Sequence, residues 1–467
     1  MAGALHYRTL AATAEDIRSG ALSSEEVTRH TLTRIQELEP RLHAFACVRE
    51  ESALAEAHAA DTRRARGEAL GSLHGVPLAV KDLCAMEGTA TAAGGFFRTR
   101  FNATDTASVV RRLQDAGAII VGKTQLTEGA WGAHHPDITP PVNPWAADRW
   151  SGASSSGSGV AVAAGLAYGA IGTDTAGSIR FPSTANRLVG LKPTWGRVSR
   201  HGVFRLSDTL DHVGPMTRSV LDAALMFDAI AGPDPADPTS LDVPPPESAK
   251  AARQGSLKGV RIGLDPTYAL DPVEPAVAAS LKRVIAAIES AGAEIVDVRL
   301  PDVRENLLRL YRSAAVEAAI SHAETYPSEA ETYSPGYRSF LELGRTASVL
   351  DYAAIQIWRR EFRGGLARLF KTVDMLIAPS MPVEPPTLAT FQAVASAPPE
   401  MVVALMVYTI PFNAAGIPSL TLPMDKTEAG VPLGFQLIGP DLSEARLLAA
   451  GAAYEQIASY ATDHPAM

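Results

Sequence analysis

The sequence predicts an α/β fold, a sheet layered with helices, on three observations. Val76–Val80 is an unbroken apolar run, the pattern of a strand buried on both faces. A helix-period segment followed by Ala-Gly-Ala and an apolar strand occurs twice, over 107–121 and again from Val277 to Val298. Alternation of that kind is what layered α/β architectures show. Short apolar runs at Val373–Ala378, Ser419–Leu422 and Phe435–Ile438 supply further strands.

Taken in order, residues 10–66 read as helices that cover the core. Ser23-x-x-Glu26 has the form of a capping box; Val27, Thr31, Ile35 and Leu38 share a face, and Pro40 is expected to stop the helix. Residues 51–66 are Ala- and charge-rich and read the same way. Asp105 is expected to cap a helix through about Ala116, ended by Gly117, with Ala118–Val121 as the strand that follows. Residues 232–257 are Pro-rich and mark a connection between two lobes of one fold, 67–231 and 258–467, with 1–66 as the cover. Gly259–Leu264 is a strand, and a helix with Val277, Leu281, Ile285 and Ile288 on one face leads to strand Glu294–Val298. Ser443–Tyr460 is a terminal helix. Residues 300–370 carry the weakest pattern.

Composition narrows the function classes. A chain of 467 residues can bury a large core. Its net charge is −9 with no basic run, which argues against a nucleic-acid partner. With only Cys47 and Cys84 there is neither a disulfide framework nor a Cys-rich metal site. The N-terminal stretch lacks the basic and apolar regions of a signal peptide. The longest apolar run, Val160–Ile171, is too short and Gly-rich to span a membrane. The expectation is a cytoplasmic protein that needs no membrane.

The chemistry concentrates in 151–193. A run of small residues, Ser151–Gly159, is followed by an apolar segment and a second small-residue turn, Gly172–Ser178. Such turns let a backbone approach a ligand and point N–H groups inward. Flexible linkers would not enclose an apolar segment, so the two turns read as two pieces of one site. Upstream, Gly75-Val-Pro-Leu-Ala-Val-Lys81-Asp82 ends a buried strand in a lysine. That lysine pays a desolvation penalty unless it loses its proton or finds a partner. Emergence into solvent, or pairing with Asp82, would satisfy it equally well.

Three other patterns compete. Residues 117–124 satisfy the P-loop pattern GxxxxGK[ST], but the middle residues form an apolar strand preceded by a helix, which is the wrong context for nucleotide binding. Lys123 is then read as a solvated strand-end residue. His134 and His135 are adjacent without a third ligand nearby and read as loop residues, not as a metal site. His201, His212, Asp208 and Asp211 make a Ser–His–Asp triad with Ser178 conceivable. No GxSxG elbow accompanies it, and it ranks below a Ser–Ser–Lys arrangement.

The segments Gly152-Ala-Ser-Ser-Ser-Gly-Ser158 and Gly172-Thr-Asp-Thr-Ala-Gly-Ser-Ile-Arg180, with the lysine segment upstream, resemble the amidase signature family. The resemblance is strong over about 65–245 and looser beyond. It implies a large mixed β-sheet core sandwiched by α-helices. It implies Ser178 as nucleophile, Ser154 as bridging serine and Lys81 as base, with the peptide before Ser154 cis. The N–H groups of Thr175, Ala176, Gly177 and Ser178 would bind the oxyanion, while Ser155, Asp174 and Arg180 would brace the turns. The family usually has Gly where this chain has Ala153, Ser156 and Ala176, and none of these departures removes a reacting group.

The implied activity is hydrolysis of small amides, with reach to esters and carbamates, without cofactor or metal. Phe96, Phe97, Trp131, Phe181 and Met401–Ile410 are candidate pocket residues and favour an apolar or aryl substrate. A homodimer is one assembly open to it. The alternative within the family is the amidase subunit that acts on misacylated tRNA, which would require a tRNA-binding partner. That branch usually has Gln where this chain has Phe181. A catalytically dead binding protein on the same fold would be marked by a lost triad member, and none is lost.

Overall fold

In a computed structural model of the protein, residues 4–98, 103–271, 273–395 and 398–467 are described. The first three residues of the cover expected over 1–66 lie outside them. Eleven strands among these residues form one mixed sheet: β1 Phe45–Val48, β2 Pro77–Lys81, β3 Ile119–Thr124, β4 Gly169–Asp174, β5 Val189–Lys192, β6 His212–Thr217, β7 Arg261–Leu264, β8 Glu294–Asp297, β9 Met375–Pro379, β10 Ser419–Lys426 and β11 Pro432–Ile438. Their order is β1-β3-β2-β4-β6-β5-β10-β11-β9-β7-β8. β2 runs parallel to both β3 and β4, and β7 runs parallel to β8 and β9. The central strands are antiparallel.

Helices cover both faces. Because side chains alternate along a strand, Leu78 and Val80 enter one core with helices Leu10–Ser19, Val220–Ile230, Pro275–Ser290 and Glu444–Ala458. Ala79, between them, enters another with helices Ser24–Leu42, Glu50–Ala65 and Ser156–Ala163. All five residues of β2 are buried, as its unbroken apolar run requires. The two helix–Ala-Gly-Ala–strand segments prove to be matching crossovers: β2, helix Ser108–Asp115 and β3, then β7, helix Pro275–Ser290 and β8. No helix among the described residues is long and apolar enough to cross a membrane.

Several expectations need correction. The helix after Asp105 begins at Ser108, and Asp105 instead pairs with Arg111 at 2.6 Å. On helix Pro275–Ser290, Val284 is buried with Val277, Leu281 and Ile288, while Ile285 is only half-buried. Pro40 lies inside helix Ser24–Leu42, in its last turn, and the chain leaves at His43 with φ 51°. Beyond it Phe45–Val48 is an edge strand, not helix, because it pairs with β3. The Pro-rich segment is tied to the strand-end loops before it. The Arg197 guanidinium donates to the carbonyls of Val243 at 2.8 Å and Pro244 at 2.6 Å, and Asp237 accepts the Arg200 N–H at 2.7 Å. It also contains the helix Ser248–Arg253.

Lys123 is the largest departure. Residues 117–124 do hold a strand, but Lys123 is fully buried rather than solvated. Its Nζ lies 2.6 Å from Asp82 Oδ1, 2.6 Å from the Ala90 carbonyl and 2.7 Å from Thr91 Oγ1. Asp82 is therefore the partner of Lys123 and not of Lys81. Removing one member of a buried ion pair leaves the other uncompensated, at a cost of about 3–5 kcal/mol. Lys123→Met is expected to lower the unfolding free energy by about that amount. Urea denaturation of the variant against the parent measures it, and an unchanged midpoint would contradict the pairing.

Candidate active site

β2 and β4 are parallel neighbours, with Val80 opposite Ile171, so their C-terminal ends reach the same edge of the sheet. Ligand sites in α/β sheets gather at such ends. Lys81 closes β2 and Thr173 stands near the end of β4, which brings Lys81 Nζ to 2.8 Å from Thr173 Oγ1. The turn before helix Ser156–Ala163 supplies two more hydroxyls. Ser154 Oγ is 2.6 Å and Ser155 Oγ 2.9 Å from the same nitrogen. That helix can approach so closely because Gly157 has no Cβ; one there would come within 2.3 Å of the Ala44 carbonyl oxygen. The Ala153–Ser154 peptide is cis.

Lys81 has no carboxylate in contact, and burial pushes its pKa down to about 7. Its neighbours also constrain the hydrogens. Ser155 Oγ donates to the Thr173 carbonyl at 3.2 Å and therefore meets Lys81 as an acceptor. A neutral amine has two N–H groups and one lone pair. With Ser155 and Thr173 accepting the two N–H groups, the lone pair is left for the Ser154 hydroxyl.

Ser178 sits in the turn between β4 and helix Arg180–Ala185. The Ser155 N–H reaches the Ser178 carbonyl at 3.4 Å, tying the two small-residue turns together. Ser154 and Ser178 both line a cavity of about 570 Å³. Gly177 takes φ 133°, and a Cβ there would lie 2.5 Å from the Phe181 ring. Ala176 keeps a negative φ, so its methyl costs the turn no strain, and its carbonyl accepts from Thr409 Oγ1 at 2.5 Å.

Asp174 organises this turn. Its fully buried carboxylate accepts N–H bonds from Gly177 at 2.8 Å and Ile179 at 3.1 Å. It also pairs with Arg180 through Nε at 3.0 Å and the terminal nitrogen at 2.9 Å. Asn413 Nδ2 donates to it at 2.8 Å. Burial opposes the charge, yet the Arg180 guanidinium holds the carboxyl well below the usual carboxylate range. One expectation changes as a result. The Gly177 N–H is an internal strut of the turn, not a free donor. Of the four expected oxyanion donors, Thr175, Ala176 and Ser178 remain, and Ala176 and Ser178 line the cavity.

The imidazole alternative loses its geometry. His212 Nδ1 faces the Leu210 carbonyl at 2.7 Å. Asp211 accepts from Thr175 Oγ1 at 2.6 Å and from the Leu206 and Ser207 amides. Asp208 faces Arg200 and Arg205, and His201 lies 3.6 Å from Asp105. None of these groups bonds Ser178 among the described residues. His134 Nε2 lies 3.0 Å from Ser156 Oγ, while His135 Nδ1 lies 3.2 Å from the Asp137 amide.

Trp131 and Phe181 both line the cavity, together with Val402, Leu405 and Met406. Phe97 does not; it stacks on Tyr333 at 4.8 Å. Phe96 packs edge-on against His135 instead. Sequence reasoning missed Glu128, Trp150, Tyr311, Phe340 and Phe391, which line the same cavity. Of the cavity wall the sequence offered Trp131, Phe181 and Met401–Ile410, and nothing local marks Tyr311 or Phe340 as facing this site.

The sequence profile of the amidase family matches residues 26–448. A Mycobacterium tuberculosis protein named "Putative amidase AmiD" is 42% identical over 452 residues, covering 97% of this chain and 94% of the relative. A glutamyl-tRNA(Gln) amidotransferase subunit from Myxococcus xanthus is 37% identical over 474 residues, covering 96% of each. The solved peptide amidase from Stenotrophomonas maltophilia superposes with a TM-score of 0.82 at 31% identity, over 97% of both chains. With its mixed sheet, its two small-residue turns and matches spanning nearly its whole length, the chain belongs to the amidase signature family.

Proposed function

We propose that the protein hydrolyses the C–N bond of small, apolar or aryl amides through an acyl-enzyme on Ser178, with Ser154 and Lys81 as its proton relay. The observation that carries this reading is a fully buried lysine without a carboxylate partner, bonded to Ser154 at 2.6 Å behind a cavity shared with Ser178. Neutral Lys81 accepts the Ser154 proton while Ser154 accepts that of Ser178, whose Oγ attacks the carbonyl carbon. The oxyanion is met by backbone N–H groups of Ala176 and Ser178, donors typically worth about 3–4 kcal/mol each. The proton returns through Ser154 to the departing nitrogen, which an amide requires because an unprotonated amine leaves poorly. Water then attacks the acyl-enzyme, giving its proton to the same relay. Only side chains and backbone take part, so the scheme calls for no cofactor.

The cavity walls favour an apolar or aryl acyl or amine group, and the same chemistry extends to esters and carbamates. The likeness to amidotransferase subunits supports a second reading, action on misacylated tRNA with a partner protein. Phe181 stands against it, since it fills the cavity wall at the position where that branch usually carries Gln.

A panel of chromogenic anilides, esters and carbamates tests the reading. Ser178→Ala is expected to lower kcat/KM on any turned-over member by at least about 10⁴-fold. Equal turnover by variant and parent would sink Ser178 as nucleophile. The base must be neutral to accept a proton, so kcat/KM is expected to fall with decreasing pH through an apparent pKa of about 7, that of Lys81. A flat profile between the ordinary carboxylate range and neutrality would remove Lys81 from the role.

A further inference from the structure

We propose that His134 selects the substrate: its Nδ1–H donates to an acceptor oxygen that the substrate carries in addition to the scissile carbonyl. This role rests on the amidase reading and names the substrate class within it: amides with a second carbonyl group on their acyl or amine part.

His134 lines the cavity together with Ser154 and Ser178. Its Nε2 lies 3.0 Å from Oγ of Ser156, which opens helix Ser156–Ala163. Ser156 is fully buried, and the imidazole is its hydroxyl's one bonding partner among the described residues. A buried hydroxyl hydrogen without an acceptor is costly, and Nε2 is the acceptor within reach. Ser156 therefore donates to Nε2, and the hydrogen of the neutral ring sits on Nδ1. Burial pushes the His134 pKa down to about 4, so the ring is neutral wherever Lys81 is neutral. Ser156 stands where the family usually has Gly, so this departure from the pattern is what fixes the tautomer.

Nδ1 is open to a ligand. It bonds none of the described residues, yet it is not sealed in the interior as His74 Nδ1 and His212 Nε2 are. The ring is half-buried, and its neighbours in the wall, Ala133 and Pro136, have no side-chain group that could bond it. Two other polar groups of the wall are already engaged. Ser334 Oγ accepts the Tyr337 N–H at 3.2 Å and bonds the Glu128 carboxyl, and the Tyr337 hydroxyl donates to the Gly129 carbonyl at 3.2 Å. Neither Lys nor Arg lines the cavity among the described residues, so the acceptor that suits this wall is an uncharged oxygen. His134 thus offers one donor, held in place by Ser156 before any substrate arrives.

The test uses two matched sets of anilides. The para-nitroanilide of hexanoic acid is compared with those of its oxo derivatives, the ketone standing at each inner carbon in turn. Hexananilide with a meta acetyl group is compared with its meta isopropenyl counterpart, in which a methylene replaces the oxygen. The parent protein is expected to favour at least one ketone compound by about fivefold or more in kcat/KM, expressed in KM. His134→Phe keeps a ring without a donor, and Ser156→Ala releases the tautomer; in each the ratio is expected to fall toward one. No preference in the parent, or a preference kept by either variant, overturns the proposal. Dissociation constants of the same compounds on Ser178→Ala, read by calorimetry, need no turnover. Binding of a ketone compound about fivefold tighter than its counterpart supports the site, and equal binding throughout both sets overturns it. If the parent leaves every anilide intact while Ser178→Ala binds the ketone compounds selectively, the amidase reading fails and the acceptor site stands.

Discussion

The pair between Asp174 and Arg180 is the contact on which the site depends. It is fully buried, and it joins parts of the chain that are far apart in sequence. Asp174 ends β4 and gathers the amides of the Ser178 turn, while Arg180 reaches Gln436 on β11 at 3.3 Å and also bonds Asn413 in helix Ile410–Ala415. A buried ion pair is weak evidence for stability by itself, because desolvation offsets its attraction. Its value here is geometric. The carboxylate converts a flexible run of small residues into a turn with one shape, and that shape sets which amides face the cavity and which are consumed inside it.

Three buried lysines show how differently one side chain can be accommodated. Lys123 meets a carboxylate, Asp82, at 2.6 Å. Lys192 donates to the carbonyls of Ile417 at 2.6 Å and Pro193 at 3.2 Å, and burial pushes its pKa well down. Lys81 has only hydroxyls around it. Hydroxyls can both donate and accept, so they solvate the neutral amine as well as the charged one. Of the three surroundings, this one alone is suited to a group that must gain and lose a proton.

What was legible in the sequence follows the range of the interactions involved. The α/β class could be read because Val76–Val80 is apolar throughout and because the helix–strand crossover occurs twice. That Lys81, Ser154 and Ser178 gather at one place could be read because each lies in a short segment with its own pattern. Lys123 was misread because its partner, Asp82, is brought to it by the pairing of β2 with β3, which no local pattern encodes. Strand β1 was hidden for the same reason: Phe45–Val48 is extended only because β3 lies beside it. The Gly177 amide was miscounted because the Asp174 carboxylate folds back on its own turn. Tyr311 and Phe340 stayed invisible because helices Leu307–Ser321 and Pro335–Arg345 have ordinary apolar faces, and only tertiary packing turns those faces toward Trp131.

The cavity takes the Ser154 and Ser178 hydroxyls from residues 154–178 and much of its wall from helices Leu307–Ser321, Pro335–Arg345 and Pro399–Leu405. These two sets of residues are encoded in separate stretches and meet only in space. Substitutions in the wall helices can therefore accumulate without touching Lys81, the two turns or the Asp174 brace. A scaffold divided in this way is suited to evolutionary drift in selectivity: a lineage can exchange one diet of amides for another by altering its second half, while the inherited reaction centre passes through unchanged.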